Sequence, residues 1–170
     1  CNEALTKHKR NGQQFADFIR LLAYSGGRTS EVLKLTWRDV DFKNKVLVFK
    51  GVDTKNRQTR RVDFNSNLQS HLGAMLTRKT SDALFPSSRT ENPVTSFKTI
   101  LRKIRADLEL PFFTNHLMRH YFISKSVMAG IDFMTIAAWA GHKDGGVLIG
   151  KTYGHLNREH TERMAKKLSF

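Results

Sequence analysis

The chain has 170 residues, 39% of them hydrophobic, which suits one domain with a genuine core and would cramp two. Its 29 lysines and arginines against 15 acidic residues leave a formal charge of +14, so the expected partner is a polyanion, DNA or RNA ahead of an anionic membrane surface. A single cysteine, Cys1, excludes an internal disulfide and a thiolate metal cluster, which makes a reducing cytoplasm the expected compartment, and no apolar run approaches the roughly 20 residues of a membrane span.

Phe15, Phe18, Ile19 and Leu22 recur at helical spacing, and "YSGGRTSEVLKL" breaks that helix at Gly26 and Gly27 before a second one, which sets Arg28 at a bend. Residues 45–64, "KVLVFKGVDTKNRQTRRVDF", hold two short apolar, β-branched stretches around a basic middle and predict a β-hairpin with a long loop. Asn65 caps a helix carrying Leu68, Leu72 and Met75. After the loop "FPSSRTENP", Phe97, Ile100, Leu101, Ile104 and Leu108 predict another amphipathic helix, ended by Pro111. Thr114 is placed to cap a helix from about His116 to Ala129, stopped by Gly130; Asp132 caps the next, closed by Gly141. Tyr24 and Tyr121 fall in apolar helical patterns and are expected in the core. Tyr153 does not: it follows Gly145, Gly146 and Gly150 on what reads as a polar, mobile connection. A short charged helix closes the chain, with Leu156, Met164 and Leu168 available for packing. The architecture expected is mainly α with one small antiparallel sheet, an α+β fold in a single domain spanning residues 1–170.

Clustered carboxylates are missing. Asp39 and Asp41 sit beside the hairpin, and no acidic residue joins His116 on its helix, so two-metal phosphoryl transfer is poorly furnished. A glycine-rich nucleotide loop with its lysine is also lacking, which leaves ATP chemistry unsupported. His116 and His120 are four apart, a spacing that suits a metal pair, yet the intervening glutamate of a metalloprotease is absent and Arg119 would set a cation beside the ion. No metal and no cofactor is therefore expected. His116 and Arg119, three apart on one face, are donors to an oxyanion. With Arg28, the hairpin-loop cations Lys55, Arg57, Arg60 and Arg61, His142 and Tyr153, they make a kit for metal-free phosphoryl transfer. Planar guanidinium groups match the non-bridging oxygens of a phosphodiester, converging cations help a phenol ionise, and a loop lysine delivers a proton to the leaving group. Each residue taken singly has a plainer role: a helix-end contact for Arg28, a solvated hairpin tip for Lys55, a core or capping histidine for His116 and His142.

The order "GGRTSE", "TKNRQTRRVDF", "HLMRH", "AGH", "KTYGHL", from about residue 12 to 160, resembles the catalytic domain of the tyrosine recombinases, the phage and mobile-element integrases. The resemblance implies that Arg28 and Arg119 clamp the scissile phosphate, Lys55 is the general acid, His116 and His142 are the two histidines of the pocket, Tyr153 is the nucleophile and Glu31 orders the pocket. Arg57, Arg60 and Arg61 would contact DNA. Tyr153 would attack a phosphodiester to give a 3′-phosphotyrosine link and a free 5′-hydroxyl. Lys50 competes with Lys55, which is preferred because "TKN" runs into basic residues and an apolar strand.

The stretch from His142 to Tyr153 is about two residues longer than the common family form, and its glycines predict a mobile tyrosine segment. The family's amino-terminal DNA-clamping domain has no counterpart here, so the chain is expected to be the carboxy-terminal part of a longer bacterial recombinase, binding DNA weakly and with strong salt dependence. Residues 157–170 would dock on a neighbouring protomer in a tetramer on DNA. Two alternatives fit the same residues: relaxation of DNA in the manner of a type IB topoisomerase, and a non-catalytic DNA-binding module of the same fold.

Overall fold

The spacing of Phe15, Phe18, Ile19 and Leu22 places all four on the buried face of the first helix, α1 (Gly12–Ser25), in the computed structural model of the protein. The structure describes residues 11–53, 58–87, 92–157 and 165–166. Helix α1 stops where Gly26 turns left-handed at φ 64° and its N–H closes on the Leu22 carbonyl. A Cβ on Gly26 would lie 2.4 Å from the Phe122 ring, and one on Gly27 would lie 2.6 Å from Val32 and 2.7 Å from Phe49. The glycine pair thus does two jobs: it turns the chain sharply and lets the backbone press against both neighbours. Arg28 follows at once as the N-cap residue of α2 (Thr29–Leu33).

Three antiparallel strands come next in the order β1 (Val40–Asp41), β2 (Val46–Phe49), β3 (Arg60–Asp63). The expected hairpin is β2–β3, with Val46 opposite Asp63 and Phe49 opposite Arg60. Strand β1 escapes the sequence pattern because two residues cannot show a period. Asn65 caps α3 (Ser66–Leu76) as expected, its side chain accepting from the Leu68 N–H. Helix α4 (Lys98–Asp107) ends earlier than the apolar pattern suggested: Leu108 is exposed and Glu109 takes φ 52°, so the turn precedes Pro111.

Helices α5 (Asn115–Met128), α6 (Phe133–Ala140) and α7 (Val147–Tyr153) complete the order. Thr114 stands at the N-cap of α5 without a side-chain capping bond, whereas Asp132 caps α6 by accepting from the Thr135 N–H. Tyr121 differs from its expected core position. The buried face of α5 is Arg119, Phe122, Ile123, Ser126 and Val127, which turns Tyr121 outward at 48% exposure with the Lys125 ammonium over its ring. Tyr24 is half-buried against His71.

The tyrosine segment also departs from the sequence reading. Gly146 is the N-cap of α7 at φ 100°, where a Cβ would lie 2.5 Å from the Phe133 carbonyl oxygen, and a Cβ on Gly150 would lie 3.3 Å from the Phe133 ring. These glycines seat α7 tightly on α6, and Ile149 and Tyr153 are buried. A 3₁₀ turn, Gly154–Asn157, follows, with Leu156 packed on the protein's own core. Met164, Leu168 and most of the expected terminal helix 157–170 lie outside the described residues.

Two apolar clusters result. One gathers α1, α2, the sheet, α3 and α4 around the Phe18, Phe85 and Phe97 rings, which meet at centroid distances of 5.0–6.2 Å. The other gathers α5, α6 and α7, and Trp139 packs against both. Charged residues that no apolar pattern explains collect where the two clusters meet.

Candidate active site

Three guanidinium groups converge on helix ends. Arg119 on α5 donates to the Gly26 carbonyl at the end of α1 (2.8 Å), and Arg28 donates to the Gly141 carbonyl at the end of α6 (3.1 Å). Arg60 on β3 donates to the Trp139 carbonyl in the last turn of α6 (2.8 Å). Each uses a carbonyl that a helix leaves without an intrahelical partner, at the negative end of the helix dipole, where a cation gains stability. Gly26 and Gly141 are both left-handed, and that conformation ends each helix with its carbonyl available to an arginine.

Glu31 ties two of these arginines together from a side chain only 1% exposed. Its Oε1 accepts from Arg28 Nη1 (2.9 Å) and Arg60 Nη1 (3.0 Å), and its Oε2 accepts from the Arg28 backbone N–H (2.9 Å) and Arg60 Nη2 (2.6 Å). Burial on its own would raise the Glu31 carboxyl, but the hydrogen bonds and charge of Arg60 and the bonds from Arg28 hold it below the usual carboxylate range. Arg60, expected from the sequence to contact DNA, lies elsewhere. In the fold its side chain is 8% exposed, stacked on the Phe49 ring at 4.2 Å and fully engaged by Glu31 and Trp139, so it braces Glu31 and Arg28 from behind. Its neighbour Arg61 points outward on β3, at the rim of a cavity of about 320 Å³. Arg28, Arg60, Gly141 and His142 also line that cavity.

Arg119 is almost wholly buried; that burial, with the nearby Arg28 and Arg60 charges, pushes its guanidinium down to about 10, still cationic at neutral pH. The two histidines register the same field. Burial first, then the charges of His120, Arg119 and Arg28, hold His116 below its ordinary value. Burial, then Arg119, with Arg28 and Arg60 adding to it against the opposing Asp144 carboxylate, does the same to His142. Tyr153 ends α7 at 9% exposure; burial raises its phenol, and Arg119 pulls the other way. Its hydroxyl is hydrogen-bonded to Nδ1 of His120, whose ring meets that of His116 edge to face with centroids 4.7 Å apart.

Arg28, Arg119, His116, His142 and Tyr153, taken from three helices and the loop after α6, thus share one electrostatic environment, in which Glu31 answers the arginines and Asp144 faces His142. Lys55 and Arg57 lie outside the described residues. The competing Lys50 is in an ion pair with Asp39, 2.6 Å away, on the β2 side of the sheet. The sequence reading missed His120 as a partner of Tyr153. In the sequence its four-residue spacing from His116 points only to a metal pair, although a phenol meant to react needs a proton acceptor and His120 sits beside Arg119 on the same helix. Chemically the arrangement is a rigid set of cations with a phenol at its edge, suited to an oxyanion that spreads charge over several oxygens.

Residues 3–160 match the phage integrase family. The chain is 30% identical over 139 residues to the tyrosine recombinase XerA of Saccharolobus solfataricus, covering 81% of this chain and 44% of that protein. It is 24% identical to the tyrosine recombinase XerD of Vibrio cholerae, covering 86% of this chain and 50% of that protein. The chain therefore spans about half the length of the curated relatives it matches. A crystal structure of XerA recombinase superposes with a TM-score of 0.66 at 25% identity, over 97% of this chain and 60% of that one. The Tn1549 transposon integrase in complex with circular intermediate DNA superposes with a TM-score of 0.70 at 21% identity, over 93% of this chain and 62% of that one.

Proposed function

This chain belongs to the phage integrase family, and from that membership together with the cationic pocket we propose that it is the catalytic part of a site-specific DNA recombinase. The observation that carries the reading is the placement of Arg28 and Arg119, anchored on two helix ends within one field, with the Tyr153 hydroxyl at its edge. A phosphodiester bound there would have its non-bridging oxygens held by the two guanidiniums. Glu31 and Arg60 keep Arg28 in register, so no reorganisation is needed when charge builds on phosphorus.

The Tyr153 oxygen attacks phosphorus in line with the 5′ oxygen, which leaves as a hydroxyl once protonated, and the DNA strand remains joined to the protein through a 3′-phosphotyrosine. Lys55 is the proposed proton donor, and His116 and His142 donate to the phosphate oxygens. Because the phosphotyrosine ester conserves the bond, the freed 5′-hydroxyl of a partner strand reverses the step without an energy source. Arg57 and Arg61 are proposed to contact the backbone of duplex DNA. Further copies of the protein are proposed to assemble with it on DNA, where residues 157–170 dock on a neighbour, in the cytoplasm of a bacterial cell. Among the described residues no helix is long and apolar enough to cross a membrane.

A nicked DNA duplex, from which the cleaved fragment diffuses away, traps the covalent adduct. Tyr153→Phe is expected to abolish that adduct while DNA binding stays within about threefold, since the phenol adds no charge to the grip. An adduct that survives Tyr153→Phe refutes the assignment, and binding without any adduct in the unaltered protein favours the non-catalytic reading.

A further inference from the structure

The proposed reaction leaves one proton unassigned: the one on the attacking phenol. The Tyr153 ring is buried against α5 and α6, and its hydroxyl meets Nδ1 of His120. Tyr153 and His120 have ring centroids 6.0 Å apart, tilted by 43°, a disposition that directs the hydroxyl to the edge of the imidazole. On its other side His120 abuts the His116 ring, which fixes the imidazole between the histidine of the phosphate pocket and the nucleophile. The two guanidiniums proposed to hold the phosphate, and Arg60 behind them, carry only N–H donors, so none can take a proton. Glu31, the nearby carboxylate, has both oxygens committed to Arg28 and Arg60.

We propose that His120 is a catalytic residue that holds the Tyr153 hydroxyl and accepts its proton as the phenol attacks DNA, an inference that rests on the recombinase reading above. In the tautomer with its proton on Nε2, the Nδ1 lone pair of His120 receives the phenol O–H. As the oxygen–phosphorus bond forms, the proton passes to Nδ1 and leaves an imidazolium. The bond from phosphorus to the 5′ oxygen breaks, and that oxygen takes a separate proton from the general acid. In the joining direction the imidazolium returns its proton to the departing phenolate. Helical geometry makes the assignment possible: His116, Arg119 and His120 fall within little more than one turn of α5, so one rigid element presents a phosphate donor, a phosphate clamp and a proton acceptor together.

The test uses the intact protein that carries this chain and two reactions. The first is adduct formation on nicked DNA, which needs the phenol to lose its proton. The second joins a 5′-hydroxyl strand to DNA ending in a 3′-p-nitrophenyl phosphate. This bypass uses the arginine pocket but neither the Tyr153 nucleophile nor its proton, because p-nitrophenolate leaves unaided. His120→Ala is expected to slow adduct formation about 10²-fold or more, the range of positioned proton transfer, while slowing the bypass by less than about threefold. His120→Asn, which offers an acceptor oxygen but cannot carry the proton away, is expected to stay as slow as His120→Ala. Adduct formation by either variant within about threefold of the parent overturns the inference. So does an equal loss in both reactions, which would mean that His120 only supports the pocket. A parent protein that forms no adduct at all refutes the recombinase reading itself, and the inference with it.

Discussion

Glu31→Gln probes the centre of the ionic web with almost no change in shape. The carboxylate takes four hydrogen bonds, two on each oxygen. A glutamine keeps one oxygen as an acceptor and turns the other into an NH₂ that faces two donors, so at least two of the four bonds are lost and two donors confront each other. Hydrogen bonds to charged groups contribute about 1.5–3 kcal/mol each, and breaking one side of a buried pair costs about 3–5 kcal/mol, so both routes to the figure converge on a loss of about 3–5 kcal/mol. Urea unfolding followed by circular dichroism at pH 7 measures it. Because the penalty arises from stranding Arg60, adding Arg60→Met to Glu31→Gln is expected to recover part of the stability, with a coupling of about 2 kcal/mol or more in the double-mutant cycle. Arg28 also loses its brace, so adduct formation in the single variant is expected to fall about 10²-fold, the loss that an ångström of misplacement can cause. A destabilisation below about 1 kcal/mol, or strictly additive mutants, would refute the claim that Glu31 holds the two arginines together.

Two further perturbations reach the web and the other buried ionisable groups. Gly141→Ala places a Cβ at φ 71° and 3.1 Å from Arg60 Cδ, so a loss of about 1–2 kcal/mol from the left-handed backbone alone is expected in thermal unfolding, with adduct formation reduced as Arg28 is pushed from the Gly141 carbonyl and Arg60 from the Trp139 carbonyl; unchanged melting and cleavage would contradict it. Acidification is expected to lower stability in two stages. Burial depresses His71, His116 and His142, so the unfolded chain takes up protons first and stability is lost as pH falls below about 6.5 towards the lower folded values. Glu31 and Asp39, both held low against burial by their cationic partners, add a second loss as pH falls below about 4.3 and through their folded values. Melting temperatures measured between pH 7.5 and 2 check both stages, and a rise on acidification would reverse the sign.

Much of this architecture is legible because helix periodicity and glycine stops are local. Phe15, Phe18, Ile19 and Leu22 declare α1, and Asn65, Asp132, Gly26 and Gly141 mark ends that the fold uses as expected. Tyr121 shows the limit of that signal. It lies in an apolar run, yet the helix turns by about 100° per residue and the face was claimed by Phe122 and Ile123, so composition without phase misplaced it. The glycines near Tyr153 mislead in the other direction: glycine is read as freedom, but at Gly146 and Gly150 it answers the close approach of Phe133, a contact between helices that no local pattern encodes. Arg60 has the same explanation. A basic residue in a basic hairpin looks like a DNA contact until the fold brings Glu31, 29 positions away, into bidentate register with it.

Position in the fold also explains how a pocket so rich in positive charge is held together. Arg28, Arg60 and Arg119 repel one another, and Glu31 offsets only one of the three. The remaining compensation comes from carbonyls at the ends of α1 and α6, which two left-handed glycines leave open to Arg119 and Arg28 and to which Arg60 adds the Trp139 carbonyl. Helix ends are partial charges of about half a unit, enough to hold a guanidinium in place and too weak to neutralise it. A second carboxylate on the arginines would offset more of their charge, and under the proposed function it would compete with phosphate oxygens for the same donors. Backbone carbonyls fix the geometry of the arginines while leaving their charge largely unneutralised, which is what the proposed binding of a phosphodiester requires.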